Sequence, residues 1–328
     1  ITQSFQLPDG QEVVIETGKL ATQADGSVVV RIGKTMLFCS VVSAKEPREG
    51  QGFFPLSVDY QEKFAAAGRI PGNFHRREAR LSEYEILICR LVDRAIRPLF
   101  PDGYLNDTQV IINLISSDEE TLPDAYAALA ASAALAVSDV PFAEPLSEVR
   151  VAKVDGEYIV NPSRSQLKDA TMDIIVAATM DNIMMVEGEA KECQEKELLE
   201  AMKIGHEAIK TQCKAQLELA QKVGGKALNK REFIPEETNE ELYSFVESKT
   251  KDAILEVAKA ALEKHERKER FQAIIDGLVE SLEEEKEFYR SVFDAILEEN
   301  IQMNREKRRV EIFTEYDEKI EFGGQVIE

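Results

Sequence analysis

Along the amino-terminal part of the chain, apolar and polar residues alternate with a period of two, which predicts half-buried strands. Gln11 to Thr17 (QEVVIET) reads as one strand; Ser27 to Ile32 and Thr35 to Ala44 read as two more, joined as a hairpin at Gly33-Lys34. Phe53 to Tyr60 reads as a further strand, and Pro55 puts it near an edge or bulge because proline cannot donate to a ladder. Thr108 to Ser116 completes this group. The period then changes. Asp124 to Val137 (DAYAALAASAALAV) is predicted helical, its alanines suited to close packing on a sheet. Glu148 to Val154 with Glu157 to Asn161, and Met172 to Thr179 with Ile183 to Glu187, are strand pairs turned by Asp155-Gly156 and Asp181-Asn182. A helix is expected from Glu192 to Val223, stopped by Gly224-Gly225. From Pro235 to Asn300, Leu242, Phe245, Val246, Ile254, Val257, Ala258 and Ala261 recur at helical spacing without a strand signal. The expected fold class is therefore α+β, a core of mixed sheets and helices followed by an all-α domain. The expected boundaries are 1–225 for the core, in two parts at 1–140 and 146–225, then 226–303 for the helical domain. Residues 304–328 are unassigned, with Glu311 to Phe313 and Lys319 to Phe322 as short strand candidates.

Length supports this division, since 328 residues exceed one ordinary domain. No apolar run approaches the ~20 residues of a membrane span, and no charged-then-apolar leader is visible. The expectation is a cytoplasmic protein with no membrane partner. Cys39, Cys89, Cys193 and Cys213 are far apart, and His75, His206 and His265 have no ligand spacing. Reduced thiols are expected, and no metal site in this chain. Net charge changes the picture more: 40 Lys+Arg against 61 Asp+Glu give −21. Such a chain repels nucleic acid at long range, so any polyanion site must be local.

One segment is of that kind. Between Arg69 and Arg97 there are seven arginines, no lysine and four acids, a local balance of +3. Gly68 to Leu81 reads as a loop with Phe74, His75, Arg76 and Arg77 at its tip and Arg80 near its base. Ser82 with Glu85 three residues on makes a capping box, and the helix it opens runs to Arg97, before Pro98. Arg90, Arg94 and Arg97 share one helical face, while Ile88, Leu91 and Ala95 fall on another and can pack inward. Guanidinium groups bind phosphate oxygens in pairs and stay charged. An aromatic ring among them is the pattern for single-stranded nucleic acid, with bases stacked and backbone held. The competing reading is a solvated face paired with Asp93 and nearby glutamates.

The string FFPLSVDYQEKFAAAGRIPGNFHRREARLSEYEILICRLVDRAIRPLFPDGY resembles the amino-terminal RNase PH-like core of the bacterial polynucleotide phosphorylases. The likeness continues through EVRVAKVDGEYIVNPS, LKDATMDIIVAATMDNIMMVEGEA and the helix containing IGHEAI, and weakens in the helical domain. The resemblance implies 3′-to-5′ phosphorolysis of RNA to nucleoside diphosphates, inorganic phosphate as co-substrate, and Mg²⁺ bound outside this chain. It implies single-stranded RNA, a homotrimer and RNA degradosome components as partners. Phe74, His75, Arg76 and Arg77 match the family's channel loop, in which a second phenylalanine is usual where His75 stands. Arg90 and Arg94 match its helix arginines near the phosphorolytic site. The family's phosphate-binding serines and metal-binding aspartates belong to a second core, absent from this sequence. The chain alone is therefore expected to be inactive, and Arg90, Arg94 and Arg97 to give electrostatic support only.

No independent active-site motif appears: no phosphate-binding G-x-x-x-x-G-K-[ST], no G-x-S-x-G, no H-E-x-x-H. Asp59 and Asp118 end strands and are minor catalytic candidates. A non-catalytic RNA-binding and assembly module is the first alternative. A binder of small organic acids or nucleotides is the second.

Overall fold

The computed structural model describes residues 1–48, 50–71, 80–233 and 240–280. The chain forms two compact units that divide between residues 235 and 236. In the first, β1 (Thr2–Gln6), β2 (Glu12–Thr17), β3 (Gly26–Ile32), β4 (Thr35–Ser43), β5 (Leu56–Glu62) and β6 (Thr108–Ser116) form one sheet, ordered β1-β2-β3-β4-β6-β5. All its pairs are antiparallel except β5 with β6, which are parallel. A parallel pair needs a crossover, and α1 (Glu83–Ile96) lies within it. A second sheet, ordered β10-β9-β7-β8, contains β7 (Ser147–Val154), β8 (Glu157–Val160), β9 (Met172–Ala178) and β10 (Ile183–Ala190). The remaining helices of this unit are α2 (Ala127–Ala136), the short α3 (Arg164–Leu167) and α4 (Glu195–Val223).

The second sheet is apolar on both faces. Val149, Val151, Ile174 and Val176 pack with Ala201, Ile209 and Cys213 of α4. Ile175, Ala177 and Met185 join the larger core with α1, α2 and the six-stranded sheet. Packed between the sheets, α2 is buried at all ten residues, which only a helix apolar all round tolerates. Its alanines let backbones approach. A Cβ built on Gly26 of β3 would lie 2.0 Å from the Ala134 carbonyl oxygen.

Several elements differ from expectation for identifiable reasons. β1 (TQSFQ) was not expected, because Phe5 is its only large apolar residue; it is an edge strand with no fully buried position. The strand expected from Phe53 begins at Leu56, after Pro55, whose carbonyl accepts from the Thr108 amide at 3.0 Å. β10 continues past Glu187 to Ala190 because backbone pairing with β9 persists where the side chains are exposed. α4 starts at Glu195, after a reciprocal cap between Gln194 and Glu197. Asp155 and Gly156, at φ 51° and 88°, make the mirror-image turn that suits a tight hairpin.

After α4 the chain returns across the core. Lys230 Nζ donates to the Leu135, Ala136 and Ser138 carbonyls at 3.0, 3.3 and 2.8 Å, capping the end of α2. Arg231 pairs with Asp25 at 2.7 Å and with Asp139, and donates to the Ser43 carbonyl at 3.0 Å. The second unit contains α5 (Glu240–Lys259) and α6 (Lys264–Glu280), packed through Val246, Ile254, Val257, Phe271, Ile275 and Leu278. Ala261, expected within a continuous helical pattern, instead lies between these helices at φ 49°. The strand candidates in 304–328 lie outside the described residues.

Candidate nucleic-acid interface

The arginine helix is fixed at both ends. At its start, Ser82 Oγ accepts from the Glu85 amide at 3.2 Å and Glu85 Oε2 accepts from the Ser82 amide at 2.7 Å. Oε1 of the same carboxylate accepts from the Glu62 amide at 2.8 Å, joining the cap to the last residue of β5. At its end, α1 gives way to a 3-10 turn, Arg97–Leu99, as Pro98 requires. Ile88, Val92, Ala95 and Ile96 are buried against the core, and Leu91 packs partly against it. The apolar positions thus orient the helix and leave the opposite face to solvent.

Of the loop, Phe74, His75, Arg76 and Arg77 lie outside the described residues. Arg80, at its carboxyl-terminal base, is exposed. The three helix arginines have different surroundings. Arg90 is exposed, with no hydrogen bond or ion pair to any described residue. Arg94 pairs with Glu187 of β10, and both side chains are about half exposed. Arg97 is tied down: Nε and Nη2 reach Asp93 at 3.0 and 2.6 Å, Nη1 donates to the Phe54 carbonyl at 3.0 Å and Nη2 to the Leu56 carbonyl at 3.1 Å. Its guanidinium carbon also lies 5.6 Å from the Phe54 ring centroid. Little donor capacity remains for an incoming phosphate, so Arg97 secures α1 to the approach to β5. Arg80, Arg90 and Arg94 form the accessible set.

Beneath that surface lies a second charge cluster with no local sequence signal. Arg150 of β7 pairs with Asp173 of β9 at 2.5 Å and with Asp124 before α2. All three are largely shielded from water, Asp124 most of all at 2% side-chain exposure. Tyr84, on the first turn of α1, is 40% exposed, and its phenol is pushed up by local desolvation and by Asp124. Glu148, two residues before Arg150, is fully enclosed. Burial pushes its carboxyl up to about 8, against the opposing hydrogen bond from the Ala128 amide at 2.9 Å. At neutral pH Glu148 is therefore mostly protonated.

The minor candidates are structural in their contacts. Asp118 Oδ1 accepts from the Glu120 and Thr121 amides at 3.0 and 2.7 Å, and Oδ2 from Thr121 Oγ1 at 2.9 Å. Burial acts to raise its carboxyl, but these bonds outweigh it and hold the group low. Asp59 accepts from Gln109 at 3.4 Å. Among the described residues, no group of three or more His, Cys, Asp or Glu has the arrangement of a metal site. No helix there is long and apolar enough to cross a membrane.

Comparison with known proteins gives a consistent result. Residues 9–141 match domain 1 of the 3′ exoribonuclease family, described as RNase PH, and residues 144–208 match its domain 2. The polyribonucleotide nucleotidyltransferase of Bacteroides fragilis (strain ATCC 25285) is 54% identical over 287 residues, covering 87% of this chain and 40% of that protein. The protein of the same name from Porphyromonas gingivalis (strain ATCC 33277) is 54% identical over 286 residues, covering 87% and 38%. That from Cytophaga hutchinsonii is 52% identical over 283 residues, covering 86% and 39%. The chain thus spans about 40% of the length of the curated relatives it matches.

Proposed function

The chain belongs to the 3′ exoribonuclease family, and on that premise we propose that it is the RNA-guiding and ring-building portion of a polyribonucleotide nucleotidyltransferase. The reaction is 3′-to-5′ phosphorolysis, in which a phosphate oxygen attacks the phosphorus of the terminal phosphodiester, the 3′ oxygen of the shortened RNA leaves, and the terminal nucleotide is released as a nucleoside diphosphate. Its demands on protein are chiefly alignment and charge neutralisation. This portion supplies the first of these, by holding the strand as it approaches. Phe74 and His75 stack bases, while Arg76, Arg77, Arg80, Arg90 and Arg94 hold the backbone. Arg97 contributes by positioning the helix.

The observation that carries the reading is that Arg80 and Arg90, exposed and without an ion pair to any described residue, flank a doubly anchored helix start in a chain of net charge −21. Guanidinium groups kept exposed at a fixed site of an acidic protein have a local use. Mg²⁺ supplies charge neutralisation in such phosphoryl chemistry, but the residues here do not fit it. Asp93, Asp124 and Asp173 are each committed to an arginine, and Glu187 faces the Arg94 guanidinium, a neighbour that disfavours a cation. Its site belongs elsewhere in the longer polypeptide, as does the phosphate site. The working form is a cytoplasmic homotrimer on single-stranded RNA, with degradosome components as further partners. The domain organisation follows: a first RNase PH-like core, expected at 1–225 in parts at 1–140 and 146–225 and extended to 235 by the return of Lys230 and Arg231 onto it, then a helical domain to 303 and the start of a linker at 304–328.

Two measurements test this. Poly(A) incubated with the chain, phosphate and Mg²⁺ is expected to yield no nucleoside diphosphate above background; release would make this portion catalytic by itself. Changing Arg76 and Arg77 to Ala is expected to weaken RNA binding and lower the log–log salt slope by roughly 0.7 per lost contact. An unchanged slope removes the backbone-holding role.

A further inference from the structure

Three arginines of the first unit, Arg94, Arg97 and Arg150, pair with carboxylates, and burial separates them. Arg150 is 12% exposed between Asp124 and Asp173, so releasing either carboxylate would strand a charge out of water. Arg97 holds Asp93 together with two backbone carbonyls. Arg94 and Glu187 are different: their side chains are 50% and 55% exposed, and neither has another partner among the described residues. An exposed pair of this kind contributes little and exchanges readily.

We propose that Glu187 is a built-in competitor for RNA phosphate on Arg94, so that strand and carboxylate take turns on one guanidinium and their exchange sets how easily the held strand is released. The inference rests on the reading of α1 as an RNA-holding helix. The chemistry of the two occupants is matched, since carboxylate and phosphate both present paired oxygens to the guanidinium fork. Position adds to the match. Glu187 is fixed on β10 by pairing with Ile175 of β9, so its carboxylate stays close when displaced. Once displaced, it is an unneutralised negative charge beside the phosphate that replaced it. Glu189, two residues along the same strand face, is exposed with no hydrogen bond or ion pair to a described residue. The anionic backbone therefore meets one carboxylate at Arg94 and a second on the same strand. A strand drawn one nucleotide at a time toward a reaction centre must be held and let go repeatedly. A weak internal competitor at Arg94 serves that cycle better than an open cation would.

The test is a double-mutant cycle on the chain, read as the dissociation constant of a labelled single-stranded oligoadenylate at fixed moderate salt, with circular dichroism verifying that each variant is folded. Glu187→Gln is expected to tighten binding about two- to fivefold, the range of an exposed ion pair, chiefly by slowing dissociation. Arg94→Ala is expected to weaken binding. Adding Glu187→Gln to Arg94→Ala is expected to tighten binding clearly less than it does in the parent, by the relief of the unneutralised carboxylate's repulsion alone. Equal tightening in both backgrounds would mean that Glu187 acts only by general repulsion, and would overturn the proposal. No tightening in the parent, with Arg94→Ala still weakening binding, would overturn the proposal and leave the RNA reading intact. If Arg94→Ala has no effect, the assignment of α1 to RNA fails first.

Discussion

Glu85 binds the Glu62 amide at 2.8 Å with the same carboxylate whose other oxygen closes the helix cap on Ser82. One buried side chain thus fixes the end of β5, the carboxyl-terminal base of the arginine loop and the first turn of α1. Glu85→Ala removes the reciprocal half of the cap and leaves the Glu62 amide without its acceptor. The expected destabilisation is about 2 kcal/mol, read as a lower denaturant midpoint. RNA affinity should fall with it, because the loop base loses its anchor. Undiminished affinity in a folded variant would show that the loop is held some other way.

Arg90 and Arg97 share a helix but should separate cleanly. Arg90→Ala removes an exposed side chain with no described partner, so stability should move by less than about 0.5 kcal/mol. RNA binding should weaken, with the salt slope reduced by roughly 0.7. Arg97→Ala frees the Phe54 and Leu56 carbonyls and Asp93, and should lower stability by about 1–3 kcal/mol. Its salt slope should stay near that of the parent. The reverse pattern would exchange the two roles.

Glu148 makes stability depend on pH. Its folded carboxyl is raised to about 8 from an ordinary 4.5, so the folded state binds the proton more tightly than the unfolded chain. The contribution is fully present below about pH 4.5 and is lost as pH rises toward about 8. Each pKa unit is worth about 1.4 kcal/mol, so the loss across the window is on the order of a few kcal/mol. Glu148→Gln cannot ionise and should flatten the stability profile in that interval. Urea midpoints of both proteins at either end of the window check this; parallel profiles would assign the slope to other groups.

Gly26 should accept no side chain. A Cβ there would stand 2.0 Å from the Ala134 carbonyl oxygen and 2.9 Å from Ser138 Cβ, so β3 and α2 would have to separate. Gly26→Ala is expected to destabilise by about 3 kcal/mol or more. A thermal midpoint within a degree of the parent would show that the interface can open without penalty.

The strands were legible where alternation met a clear turn, as at Gly33 in the six-stranded sheet and at Asp155-Gly156 in the four-stranded one, and the Ser82–Glu85 cap is visible in four residues of sequence. β1 was hidden because an edge strand with one phenylalanine carries almost no pattern. Of the three arginines predicted to share a helical face, Arg90 and Arg94 lie on α1, whereas Arg97 opens the 3-10 turn that follows it. What periodicity could not supply is the chemistry waiting around each guanidinium. Asp93, four residues before Arg97, was a local clue, but the Phe54 and Leu56 carbonyls come from another element. Glu187 is 93 positions from Arg94, and only the fold brings them together. Glu148 escaped notice because a sheet covered on both faces loses the alternation that distinguishes an inward carboxylate from a solvated one.

The alanine helix α2 has a consequence for recognition. It is pressed against β3 as closely as backbones allow, and α1 packs on it, so α1 rests on a densely packed support. Arg90 and Arg94 therefore meet a polyanion from a support already ordered before contact. The entropy lost on association falls on their side-chain rotamers and on the strand itself. Methyl groups remote from any charge thereby help decide how much of the electrostatic attraction survives as affinity.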